Sequence, residues 1–236
     1  MHVQRYERVD EFLARAGAFL AAREAEHNLI LGFSARLRHE PRLFGEDAYL
    51  AVVEEDGEVL AAALRTPPHN LVLSEVDREG AIEPLVVDVR AAFATLPGAL
   101  GPTETVARFA ELWQAATGAR AHRALAERIF RAESVELPQG VAGRMRPYAE
   151  PDRELATRWL DAFVAEALPD SHPEPAAGVL ERRLTEPEGG LVVWEDREPV
   201  SLAGFGGRTP NGIRIGPVYT PPELRGVGTR ARLLPS

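Results

Sequence analysis

The chain has 236 residues, 45% hydrophobic and 27% charged, an ordinary globular composition that is long enough for two domains and excludes disorder throughout. A net charge of −9 would repel a phosphate backbone, so nucleic acid is not an expected partner. Cysteine is absent and all 27 basic residues are arginine, which excludes disulfides, thiol nucleophiles, a Walker-type phosphate loop and Schiff-base catalysis. The chain shows no apolar run of ~20 residues and no cationic start leading into an apolar stretch. The expectation is a cytoplasmic protein with no membrane partner.

Phe12, Leu13, Ala16, Phe19 and Leu20 fall at helical spacing behind Asp10, which reads as an N-cap, and a second helix is predicted over Asn28–Leu37. Ala48–Val53 and Val59–Leu64 read as strands joined at Asp56-Gly57. Helical spacing returns over Ala81–Phe93 and Thr103–Ala116, and the alternation of Arg123–Val135 predicts a closing strand. The short Glu136-Leu137-Pro138-Gln139-Gly140 segment reads as a linker, which sets domains at 1–137 and 141–236.

The second half repeats the plan. Met145–Pro147 reads as a strand, Asp152–Leu168 and Ala176–Leu184 as helices, and Leu191–Phe205 as a hairpin that can be laid on Tyr49–Leu64. That alignment matches Val52 with Val192, Asp56 with Asp196 and Glu58 with Glu198, then, after one inserted residue, Ala62 with Ala203. Unrelated hairpins share such alternation too. Duplication makes the expected architecture two copies of one α+β unit, with mixed, mostly antiparallel sheets flanked by helices. The first copy runs on from Thr66 to Val135, whereas the second reaches Ser236 soon after Thr209, so it is expected to be cut short.

Chemistry concentrates in Ile213–Thr229, an extended strand followed by Thr-Pro-Pro-Glu, an arginine and two glycines. Glycines admit close approach of the main chain to a phosphate, a helix start offers free N–H groups, and Arg225 adds a charged donor. A tight turn with a C-capping glycine would look the same. The stretch GPVYTPPELRGVG resembles the acyl-CoA-binding stretch of the GCN5-related N-acetyltransferases (GNAT superfamily), which reads Q/R-x-x-G-x-G/A after the fourth strand. The resemblance covers Gly143–Gly228 and, more faintly, residues 1–135 as a degenerate copy.

That resemblance implies a GNAT-like acyl-CoA N-acyltransferase fold and a bulged fourth strand whose main chain pairs with pantetheine. The loop after that strand holds the pyrophosphate of acetyl-CoA, the co-substrate. By position, Val218, Tyr219 and Thr220 would meet the pantetheine arm, and Arg225, Gly226, Val227, Gly228 and Thr229 would cradle the pyrophosphate. The first copy, ending its strand at Leu71-Val72-Leu73-Ser74-Glu75 with no R-G-x-G after it, is expected to bind no cofactor. The implied activity moves acetyl from acetyl-CoA to the amine of a small molecule or a protein by direct attack on the thioester. Glu166, Asp170 and His172 are candidate bases, ordinary solvated charges being the plainer alternative, and the main-chain N–H near Tyr219 would polarise the carbonyl.

Arg230 stands where the family has Gly or Ala, and the tail from Gly228 to Arg232 is what a one-base deletion in GC-rich codons for Gly-Tyr-Ala-Ser-Ala would produce. A truncated second copy would lack the fifth strand and the family's acid tyrosine and expose its fourth strand as an edge. Impaired activity and homodimer pairing through that edge are the expectations. The alternative is a non-catalytic binding protein, a pseudoenzyme that keeps the doubled fold. The six histidines are scattered without a ligand pair, so no metal is expected. No serine sits in a G-x-S-x-G elbow, and Gly204-Phe205-Gly206-Gly207 is not a dinucleotide fingerprint. Trp159, Phe163 and Trp194 read as packing, with a substrate-pocket role as the lesser reading, and Arg182-Arg183 as a solvated helix face.

Overall fold

The computed structural model describes residues 1–41, 47–76, 78–136, 139–167 and 175–226. It divides into two units, Met1–Phe130 with Gly207–Gly212, and Arg131–Gly206 with Ile213–Ser236. Both are α+β. None of the helices among the described residues is long and apolar enough to cross a membrane.

In the first unit the order is β1 (His2–Tyr6), α1 (Val9–Ala22), α2 (Asn28–His39), β2 (Tyr49–Glu55), β3 (Glu58–Arg65), β4 (Leu71–Leu73), α3 (Ile82–Ala92), β5 (Ala99–Leu100) and α4 (Thr103–Thr117). The strands form one sheet in chain order, antiparallel from β1 to β4 and parallel between β4 and β5. Both faces are covered, which is why β2 and β3 read as near-continuous apolar runs. Leu50, Val52, Ala62, Leu64 and Val72 pack with Phe12, Ala16 and Leu20, spaced four apart on α1, and with Ile30, Leu31 and Leu37 of α2. Ala51, Val53, Ala61, Ala63, Leu71 and Leu73 pack with Ile82, Leu85, Val86 and Val89 of α3 and with Phe109 and Trp113 of α4. Asp56 and Gly57, at φ 51° and 82°, make the two-residue turn whose twist suits a hairpin.

Three expectations need correction here. Arg123–Val135 is not a strand: the stretch has neither helix nor ladder, and Phe130 and Val135 are exposed. Alternation makes a strand only when a neighbour supplies cross-strand pairs, and these residues have none. Asp10 lies in the first turn of α1, whose N-cap is Arg8 without a side-chain cap, and β1 precedes a helix that was expected to open the chain.

The second unit comprises β6 (Arg144–Pro147), a 3₁₀ turn (Glu150–Asp152), α5 (Arg153–Ala167), α6 (Ala176–Thr185), β7 (Gly190–Asp196), β8 (Glu198–Gly206), β9 (Arg214–Tyr219) and a 3₁₀ turn (Pro222–Leu224). Its sheet is antiparallel throughout in the order β6-β7-β8-β9. Both helices pack on the face carrying Leu191, Val193 and Leu202, through Ala156, Leu160, Ala176 and Leu180. Strand alternation puts Met145, Val192, Trp194, Ala203, Phe205 and Val218 on the other face, where Met145 and Val218 are 64% and 55% exposed. Asp152 fixes the entry to α5: it accepts the Ala149 N–H at 2.8 Å and two Arg146 N–H groups at 2.6 and 2.9 Å.

A candidate anion cleft at the end of the fourth strand

β9 is not regular. Its register against β8 shifts between Ala203 and Phe205, opposite Gly216-Pro217, and Gly216 sits at φ 152°. At this point the two backbones come so close that a Cβ on Gly204 would lie 2.9 Å from the Gly216 carbonyl oxygen. Arg183 of α6 ties the kink down, donating from Nη2 to that same carbonyl at 2.8 Å and from Nη1 to Glu186 Oε2 at 2.9 Å. Arg183 is buried rather than solvated, which corrects the sequence expectation. Helix periodicity could not reveal it, because its partners lie on the helix terminus and on a distant strand.

Beyond the kink, β9 delivers Val218, Tyr219 and Thr220 to the last turn of α5. There they line, with Phe163, Glu166, Ala167 and Arg225, a cleft of about 430 Å³. That volume lies within the range of small-molecule sites. Ser201 of β8 sets the strand end: its hydroxyl donates to the Tyr219 carbonyl at 3.0 Å and so accepts from the Thr220 hydroxyl at 2.8 Å. Tyr219 is buried, whereas Val218 presents an exposed side chain. Pro221 accepts from Leu224 N–H at 2.9 Å and closes the turn that sends the chain back, and Gly226 follows at φ 72°.

Arg225 is the charged centre of the cleft. Its Nε donates to the Thr220 carbonyl at 2.8 Å, and Nη1 and Nη2 donate to the two oxygens of Glu166, both at 2.8 Å. The guanidinium stands 5.7 Å from the Tyr219 ring centroid. Hydrogen bonding to Arg225 holds the Glu166 carboxyl below the usual glutamate range, and the same bond raises the arginine. Glu166 is therefore ionised at neutral pH and, while paired, a weak base.

Sequence candidates from two distant segments thus meet: Glu166 from α5, and Val218, Tyr219, Thr220 and Arg225 from the strand and turn. Gly226 is described but does not line the cleft. Asp170, His172, Val227, Gly228 and Thr229 lie outside the described residues. Phe163, expected to be packing, is a wall of the cleft, while Trp159 packs against the core as expected. Ser201 went unnoticed, since a lone serine in a strand carries no sequence signal. Among the described residues no group of three metal-ligating side chains converges.

Compared with known proteins, the chain matches no family model and no curated sequence.

Proposed function

We propose that the chain is an acetyl-CoA-dependent N-acetyltransferase of the GNAT kind, built from two copies of that fold, with the cofactor cleft in the second. The observation that carries this assignment is the cleft itself. It gathers Val218, Tyr219, Thr220 and Arg225, drawn from the stretch that resembles the acyl-CoA motif, at the end of a bulged strand.

Topology and register add support. Both units run strand, helix, helix, then three antiparallel strands. Each has one register shift at the same place in its hairpin, at Val53/Glu54 and at Trp194/Glu195. Superposing these shifts equates the Val52↔Ala62 pair with Val193↔Leu202, a register one residue away from the alignment made on sequence. Tyr6, opposite Leu50, then corresponds to Tyr148, whose N–H donates to the Leu191 carbonyl at 2.9 Å.

In the proposed reaction the nitrogen of a neutral amine attacks the thioester carbonyl carbon. The C–N bond forms, the C–S bond breaks, and the thiolate departs and takes up a proton. A carboxylate or water accepts the amine proton. Glu166 is the described candidate for that base, and the acceptor is an amine on a small molecule or a protein. Homodimer pairing through β9, a terminal strand of its sheet, completes the proposal.

The test is acetyl-CoA titration followed by amine-dependent release of free thiol across an amine panel. Binding that weakens at least tenfold in Arg225→Ala, together with thiol release, supports the assignment; no binding at millimolar acetyl-CoA overturns it. A non-catalytic binding protein is the second reading, favoured by the fact that Glu166 already occupies both arms of Arg225. Binding without amine-dependent thiol release would select it.

A further inference from the structure

The fork formed by Nη1 and Nη2 of Arg225 is the geometry that grips a carboxylate or a phosphate two-handed. Glu166 fills it with two oxygens at equal distance, while Nε is committed to Thr220. Of the five guanidinium N–H groups, these contacts use three. An anion entering the cleft therefore meets a cation whose recognition edge is taken.

Glu166 is also poorly placed for its own helix. It sits in the last turn of α5, where the helix dipole disfavours negative charge and no basic residue of that turn offsets it. Both side chains of the pair are about half exposed, at 45% and 49%, so water reaches them and the pair can open without breaking the core.

We infer that Glu166 is a built-in competitor for the anion that Arg225 would hold, so that a pyrophosphate-bearing ligand must displace it to seat in the cleft. This gate rests on the assignment of Arg225 to an anion made above.

The experiment titrates inorganic pyrophosphate and, separately, acetyl-CoA into the wild-type chain, Glu166→Gln, Arg225→Gln and the double variant. Glutamine keeps the shape of Glu166 and removes its charge. Glu166→Gln should bind pyrophosphate about two- to fivefold tighter, the scale of an exposed ion pair, with the gain shrinking at high salt and vanishing in the double variant. Pyrophosphate affinity that is unchanged, weakened or undetectable in Glu166→Gln overturns the gate, as does a gain that survives removal of Arg225. A pyrophosphate gain without acetyl-CoA binding keeps the gate and refutes the cofactor assignment. Equal acetyl-CoA binding by wild type and Glu166→Gln, without a pyrophosphate gain, does the reverse.

Discussion

Replacing Arg183 by methionine tests how the cleft strand is held. The guanidinium is buried against Glu186, also buried, and Gly206 leaves room for both: a Cβ there would fall 2.5 Å from Glu186 Oε2 and 2.7 Å from Arg183 Nη1. Removing one partner of a buried pair costs about 3–5 kcal/mol, because the other charge stays behind in a poorly solvating site. Most of that loss should disappear in Arg183→Met/Glu186→Leu, where both charges are gone and apolar packing replaces them. Urea unfolding read from Trp159 and Trp194 in a Trp113→Phe background reports the second unit. Hydrogen exchange over residues 214–219 reports the kink, where the Gly216 carbonyl loses its 2.8 Å donor. A loss below about 1 kcal/mol in the single variant, or a double variant no better than the single, would refute the claim that this pair fastens β9.

His27 is buried and neutral: Nε2 accepts the Glu75 N–H at 3.0 Å, so Nδ1 carries the proton and donates to the Leu20 carbonyl at 3.0 Å. Burial holds its pKa below the ordinary histidine value of about 6.5, so the unfolded chain binds the extra proton first and the first unit loses stability as pH falls through and below that value. The urea midpoint of the Trp113 signal should drop between pH 7 and 5, and in His27→Gln that slope should flatten. Gly204→Ala drives a methyl against the Gly216 carbonyl and should cost about 1–3 kcal/mol while raising exchange in β9; a neutral outcome would mean that the strands separate freely there. Ile215→Lys/Val218→Lys places charges on two exposed apolar positions of β9. If the chain dimerises through this strand, sedimentation should show monomer for the variant and dimer for the wild type; two monomers would remove the dimer proposal.

The helices and the two hairpins were legible because each carries an apolar period over ten or more residues, or apolar runs joined by a short charged turn, Asp56-Gly57 in the first hairpin and Asp196-Arg197 in the second. β1 and β5 were not. HVQRY has too few apolar positions to set a period, and Ala99–Leu100 is a strand only because Leu71 and Val72 run parallel beside it. The opposite error at Arg123–Val135 has the same origin, since pairing is a property of neighbours. In the site, Arg225 was visible through its glycines. Its partner Glu166 could be named only as one of three carboxylate or imidazole candidates, because the meeting of α5 with β9 is tertiary. Arg183 was misread for a related reason: an arginine beside another on a helix gives no sign that a strand carbonyl waits for it.

The two strand ends explain why an anion site is proposed in one unit and not in the other. In the first, the chain leaves β4 through Ser74 and Glu75; Ser74 and Ala62 bond to each other, and the Glu75 N–H is capped by the lone pair of His27. The Glu75 carboxylate is itself paired with Arg23. An arriving phosphate would find its amide donor used. In the second, the chain leaves β9 through Tyr219 and Thr220, steadied by Ser201, and turns to bring a cation back over the strand end. Both exits carry a carboxylate–guanidinium pair, so the difference lies in the main chain: the exit amide of the first is capped by an imidazole, whereas the second turns Arg225 back onto the Thr220 carbonyl at its strand end. The Glu166 carboxylate on that guanidinium then makes the second exit conditional, open to an anion strong enough to take its place and closed to weaker ones.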